Sequence, residues 1–542
     1  MKVRSTDSLE NDLKECLTNP HTSQNLSQAV SLAEQIIKFD KNSNYANYAL
    51  ALHELALANR SAPMVDYTKA EQVLKKIINI DPNFIEAYLM LVKIYKEVDK
   101  NEEYKILLKA NKQFKDHYLI MFDLANLMTF KTGEKEKGVE LYAKCVQKLP
   151  MVDSAWAALG TAYCFTRQFD MAMKSFDTAL AINPENIPSI LGKGVVHFEN
   201  SNFAEARKYY EKALVIDKNS FWGNFNLGLL TLLEGNFLKG LEVFEKRDKD
   251  QYLEKYGGKF LPELTKDEIR EGSNQEIVVL REQGLGDDVM FSRYLPLFKD
   301  LGYKVTYACS PELKDFFELS PDLDDINLTS NIPDIRHFDY RIFLMSLPWI
   351  LSDKYKKKLN QPLKIDLSRL DDTSLKIPNK IQKVIKSKKL KVGISWSGSP
   401  KHMRDFCRSI DLEIFSKIFE NTDVEFFVLQ KVIKTKEKSF LKKYKNVHNC
   451  SDYLDNFIDT ANFINKMDII FSVDTSLVHM AGTMNKTTYL LLPKVPDYRW
   501  GLEGNQDWYP SVKALRQKDV DNWSYPLKEC QNLLKKSLSS SK

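Results

Sequence analysis

The sequence lacks any long apolar stretch. Its longer runs, such as 469–473 and 489–493, fall far short of the roughly 20 residues that span a bilayer. Of 542 residues only 20 are glycine and 19 proline, too few for a fibrous or linker-like chain. The seven cysteines (Cys16, Cys145, Cys164, Cys309, Cys407, Cys450 and Cys530) are scattered, odd in number and without a CxxC pair. Neither a disulfide framework nor a structural zinc site is expected, and a reducing, cytoplasmic compartment fits best. Neither sign of charge dominates: 78 basic and 73 acidic residues leave +5, so charge alone implies no nucleic-acid or membrane role. The opening MKVRSTDSLENDLKE has no apolar core of the kind a signal peptide needs. What remains is ordinary for a folded chain, 43% hydrophobic and 28% charged, long enough for about three or four domains.

The front half repeats. The segment Trp156, Leu159, Gly160, Tyr163, Ala172, Phe176, Ala179, Pro184 recurs at a spacing of 34, with lead positions Tyr88, Phe122, Trp156, Ile190 and Asn224. A looser copy ends at Asp81-Pro82, with Ala70 and Leu74 in the matching slots and an insertion near 61–66. Each unit reads as a helical hairpin in which large residues meet small ones where two helices approach. A hairpin of this kind cannot bury its face alone, so copies stack into a solenoid. The pattern resembles the tetratricopeptide repeat (TPR) family over about residues 30–250. Such solenoids offer a concave surface to peptides or proteins; a spacer or dimerisation surface is the alternative. The slot aromatics are expected in the core, not in a ligand box.

The periodicity fades after Arg247. Residues 248–275 are polar, broken at Gly257-Gly258, and read as a connector. From Glu276 short apolar runs alternate with helical segments: strands at 277–280, 305–309 and 340–345, then 390–398, 424–430, 468–473 and 487–492, with helices at 285–301, 311–319, 411–419, 431–444, 454–466 and 475–484. Near-continuous apolar strands separated by helices imply parallel sheets covered on both faces. The charged stretch 353–389 marks the boundary between two lobes. The expected division is 1–250 helical repeats, 251–275 linker, 276–385 first lobe and 386–536 second lobe.

Three segments carry chemistry. In 471–493 a buried strand ends before Asp474, Thr475 and Ser476, and a helix begins there. Its unpaired amides and positive dipole suit a diphosphate, with His479 one turn in. A plain helix cap and a core histidine are the alternative. In 281–288, Gly284 and Gly286 between strand and helix let a ligand approach the backbone. Asp287 is placed to take a proton from a hydroxyl, while Asp288 points elsewhere; a helix cap is again the alternative. In 395–410 a strand runs into a loop bearing Lys401, His402, Arg404 and Arg408, cations that can neutralise a leaving diphosphate. The basic stretches at 354–358, 386–391 and 431–445 read as solvated faces.

Together, LREQGLGDDVMFSRYLPLF, MSLP, VGISWSGSPKH with Arg408-Ser409, SVDTSLVHMAGTMNK, LLLPKVPDYRW and DWYP followed by LRQ resemble a GT-B glycosyltransferase domain related to the ADP-heptose–lipopolysaccharide heptosyltransferases. The order of parts is similar to O-linked GlcNAc transferases. The resemblance implies a fold class of α plus α/β, a TPR α-solenoid followed by a GT-B domain of two Rossmann-like lobes. It implies Asp287 as general base and Arg408 at the donor phosphates. It places Gly284, Gly286, Trp396, Ser397, Gln430, Asp474, Thr475, Ser476 and His479 on the donor, and Trp500 on the acceptor or sugar side. It further implies an inverting, metal-independent transfer from a nucleotide-diphosphate sugar, with no cofactor, and a protein or peptide partner on the TPR solenoid. The alternative is a non-catalytic TPR adaptor with a degenerate nucleotide-sugar-binding domain.

Overall fold

A computed structural model of the chain describes residues 5–18, 23–58, 66–247, 249–253, 256, 261–331, 334–355, 361–370, 377–400, 402, 404–504 and 508–540. The Gly257-Gly258 break, most of the 61–66 insertion and Lys401 lie outside the described residues. Contacts between α-carbons divide the chain into Met1–Lys193 and Gly194–Lys542.

The repeat region is a run of helices: α1 Thr6–Leu17, α2 Ser23–Ile37, α3 Asn44–Ala58, α4 Thr68–Ile80, α5 Ile85–Val98, α6 Lys100–Gln113, α7 Tyr118–Leu127, α8 Lys135–Lys148, α9 Asp153–Phe165, α10 Phe169–Ile182, α11 Ile187–Glu199, α12 Phe203–Ile216, α13 Phe221–Leu233 and α14 Phe237–Phe244. The expected lead positions open α5, α7, α9, α11 and α13, and helical pairing extends well before residue 30. Small residues stand where the pattern requires them. The ring of Phe176 lies between Gly160 and Gly192, and a methyl group on Gly160 would come within 2.5 Å of it. Of the slot aromatics, Tyr88, Tyr142, Phe176, Tyr210 and Phe244 are buried, whereas Trp156 is half-buried and donates its indole N–H to Pro150 O at 2.9 Å. The inter-helix turns repeat too. Gly133, Arg167, Ser201 and Gly235 occupy the same place in successive hairpins, all with positive φ (81°, 61°, 63° and 87°).

Beyond α14 the helix α15 (Asp250–Leu253) leads into two parallel sheets. The first has strands β1 Glu276–Leu280, β2 Lys304–Ala308, β3 Asn327–Thr329 and β4 Tyr340–Phe343 in the order β3-β2-β1-β4. The second has β5 Leu390–Ser395, β6 Val424–Val428, β7 Val447–Asn449, β8 Ile469–Val473, β9 Thr488–Leu492 and β10 Val512–Arg516 in the order β10-β9-β8-β5-β6-β7. Their helices are α16 Leu285–Phe291, α17 Leu295–Asp300, α18 Lys314–Phe317, α19 Leu347–Tyr355, α20 Asn379–Ile385, α21 Asp405–Arg408, α22 Leu412–Phe415, α23 Thr435–Leu441, α24 Phe457–Lys466, α25 Ser476–Thr483 and α26 Ser524–Ser540.

Several expected elements are revised. The strand expected at 340–345 stops at Phe343, because Leu344–Ser346 turns as a 3-10 helix into α19. The helices expected at 311–319 and 431–444 shrink to α18 and α23. β3, β7, β10, α15, α19, α20, α21 and α26 fall outside the expected strands and helices. Much of the described connector is integral to the first sheet: Leu264 N donates to Arg341 O, Arg341 N donates to Pro262 O (2.9 Å each), and Leu253, Tyr256 and Leu261 pack with Val278 and Leu280.

Candidate functional site

The strand orders locate the site. In the first sheet the chain proceeds outward from β1 to β3 and then returns to β1's other side as β4. In the second it leaves β5 toward β7 and resumes beyond β5 as β8. In open parallel sheets ligands bind outside the carboxyl ends of strands at such reversals. The loops there are 281–284 after β1, the described part of the segment after β5 (396–400, 402 and 404) and Asp474-Thr475 after β8, the same three segments that stood out in the sequence.

These segments meet. A methyl group on Gly286 would stand 3.0 Å from His479 Cδ2 and 3.8 Å from Ser476 Cα, so α16 of the first sheet lies directly on α25 of the second. Gly284 caps α16, and Asp287 Oδ2 accepts from its amide at 3.0 Å. The helix-cap alternative therefore holds for one oxygen of Asp287. The other is paired with Arg499 Nη2. Arg499 Nη1 reaches Asp497 Oδ1 at 2.6 Å, so one guanidinium joins carboxylates from both sheets. Asp288 turns away, fully buried, with Arg281 Nε 3.0 Å distant. Burial, with Asp287 beside it, pushes its carboxyl up to about 7 despite Arg281.

At α25 the N-cap residue is Thr475, whose side chain makes no capping bond. Its first amides and dipole are thus left to other partners. Asp474 is mostly buried, and burial together with Asp497 pushes it up to about 6 against the opposing Arg499 and Arg408. His479 is buried. Its Nδ1 is 3.1 Å from Tyr509 Oη and its ring stacks on Trp500 at 5.5 Å. Burial, then Arg499 and Arg293, hold the imidazole down at about 3, so it is neutral.

Arg408 spans the second reversal. It donates to Asp474 O at 2.9 Å and pairs with Asp405 at 3.1 Å, and it lies over Gly398, where a methyl group would come within 2.6 Å of Cζ. Two expected donor residues face elsewhere. Trp396, the first residue after β5, is fully buried among Ile394, Ile410 and Phe415, with Nε1 3.4 Å from Glu437, so its side chain belongs to the core of the second sheet. Gln430 is used in bracing: Oε1 accepts from the amides of Trp396 (3.2 Å) and Ser397 (3.0 Å), while Nε2 donates to Ser397 Oγ (2.8 Å) and Val432 O (2.9 Å). Trp500 is buried under His479 and offers no open sugar-facing surface. A cavity among His402, Arg404, Cys407, Arg408, Asp474 and Asp497 measures about 20 Å³, room for about one water.

Arg499, Asp497 and Tyr509 carry no expected role of their own; all three lie inside strings that carried the resemblance, LLLPKVPDYRW and DWYP. Arg404, expected among the cations for a diphosphate, is paired with Glu199. The repeat end also bears on this region: Phe244 packs near Tyr498 (6.2 Å) and Phe237 against Trp508 (5.3 Å). Arg247, just past α14, binds Glu282 of the loop after β1 through Nε and Nη2 at 2.7 Å each.

Residues 153–186 and 187–220 match the tetratricopeptide repeat family model. These hairpins are TPR repeats. A TPR repeat-containing protein of Methanocaldococcus jannaschii is 25% identical over 228 residues, 38% of this chain and 38% of its own length. The CTR9 homolog of Arabidopsis thaliana is 28% identical over 90 residues, 16% of this chain and 8% of its own. Both matches cover less than two thirds of the relative. Among solved structures, YrrB, described as a TPR protein with an unusual peptide-binding site, is 16% identical with a TM-score of 0.31, covering 35% of this chain and 95% of YrrB. PilF of Pseudomonas aeruginosa is 15% identical with a TM-score of 0.34, covering 41% and 97%. TPR repeats support protein or peptide binding by the helical region. Among the described residues no helix is long and apolar enough to cross a membrane.

Proposed function

We propose that the two-sheet region is a GT-B glycosyltransferase domain of the heptosyltransferase-like kind, and that the TPR hairpins bring the acceptor to it. The observation that carries this reading is the contact of Gly286 with Ser476 and His479, which sets the acidic loop of one sheet against the uncapped helix of the other. A nucleotide-diphosphate sugar lies with its phosphates on the first amides of α25, beside Arg408. Asp287 takes the proton of the acceptor hydroxyl as that oxygen bonds to the anomeric carbon, and the carbon–phosphate oxygen bond breaks with its electron pair going to the diphosphate. Neutral His479, backed by the stacked ring of Trp500, walls the site and excludes water. Arg499 must release Asp287 first, and the arriving diphosphate is the natural competitor for that guanidinium.

The test is sugar transfer or donor hydrolysis by Asp287→Asn. Transfer is abolished while nucleotide binding persists; a fully active variant overturns the assignment of the base. A second reading, a TPR adaptor with a vestigial sugar-nucleotide domain, draws on the occupied Asp287 and the small cavity. It is favoured if the intact protein binds a partner but neither binds nor turns over any sugar nucleotide.

A further inference from the structure

Arg408 ends α21, a single helical turn that begins just after Arg404. Arg404 is held from outside the sheets. Its Nε and Nη2 lie 2.9 Å and 3.2 Å from the two oxygens of Glu199, the last residue of α11. Nη2 also donates to Val495 O at 3.0 Å, and the guanidinium sits 5.3 Å from the ring centre of Phe198. One arginine therefore joins a TPR helix end, the loop after β5 and the loop after β9. Cys407 N donates to Arg404 O and Ser409 N to Asp405 O, so the turn is internally bonded and moves as a piece. Fixing its first residue fixes where Arg408 points.

We propose that Glu199 is a positioning residue: through Arg404 it holds the α21 turn so that Arg408 presents its charge to an anionic group at the start of α25. The TPR hairpin α11–α12 thereby sets the anion affinity of the site, and displacement of Glu199 by a partner lowers that affinity. This rests on the proposed diphosphate site.

The experiment measures binding of ADP, GDP, UDP and inorganic pyrophosphate by calorimetry to the full chain and to Glu199→Gln, Glu199→Asp, Arg408→Ala and the double variant Glu199→Gln/Arg404→Met. The double variant removes the stranded charge that destabilises the single one. The expected result is about a tenfold loss of diphosphate affinity in Glu199→Gln, the size of an ordinary coupling between linked elements. Glu199→Asp recovers part of it, and the double variant stays folded but weak. The proposal is overturned if Arg408→Ala loses binding while Glu199→Gln does not, or if the double variant regains wild-type affinity. If Arg408→Ala binds as tightly as the parent, or no diphosphate binds at all, the diphosphate site itself is wrong and the proposal falls with it.

Discussion

Replacing Arg247 by methionine tests the mounting of the β1 loop on the repeat end. Arg247 is buried, and its side chain makes bonds of 2.7 Å to both oxygens of Glu282, 2.7 Å to Glu245 and 2.8 Å to Ser346 Oγ. Without it, Glu282 keeps the amide of Met345 at 3.1 Å, too little for a carboxylate with no exposed surface. Breaking one side of a buried pair costs about 3–5 kcal/mol, mostly through the charge left behind. With an unfolding entropy of about 0.7 kcal/mol/K for a unit of this length, the melting temperature falls by about 5 °C. Tryptophan fluorescence reads the right unit, because of the seven tryptophans only Trp156 lies before Gly194. The double variant Arg247→Met/Glu282→Gln should recover most of the loss, since no charge is stranded. A single variant melting within 1 °C of the parent, or a double variant as unstable as the single, refutes this account of the junction.

Three further expectations follow from local geometry. Gly286→Val forces side-chain atoms against His479 and Ser476, and should lower the melting temperature by several degrees and alter Trp500 emission; an unchanged melt means α16 and α25 do not pack as described. Arg167→Gly should stabilise the repeats by about 0.5–1 kcal/mol, because a side chain at φ 61° is strained where Gly133 and Gly235 are not; the readout is urea unfolding of residues 1–193 by circular dichroism, and a loss of stability contradicts it. Asp288 binds its proton more tightly folded than unfolded, so it lowers stability progressively as pH rises from about 4 to about 7. Asp288→Asn should flatten that slope in melting temperatures taken across the range, and equal slopes in both proteins contradict the assignment.

The repeats were legible because their period is long, regular and tied to close packing at Gly160 and Ala172. The main strands were legible as apolar runs. β3 and β7 escaped because each is three residues long, and β10 because Lys513 and Arg516 interrupt its apolar pattern. The three site loops were visible because glycines and polar residues interrupt strand–helix patterns there. Side-chain direction was not visible. Trp396 turns inward and Gln430 braces two strand ends for reasons set by neighbours dozens of residues away. Arg499 meets Asp287 across 212 positions, a partnership no local pattern encodes.

On the proposed function, the start of α25, Arg408 and the Asp287 loop form one site for a nucleoside diphosphate. The most direct measurement is calorimetric titration of the intact protein with UDP, GDP, ADP and their sugar conjugates, repeated on Thr475→Val/Ser476→Val. At least one of them should bind saturably and one-to-one, and the double variant should weaken that binding by tenfold or more. Binding that is absent throughout, or unchanged in the variant, contradicts it.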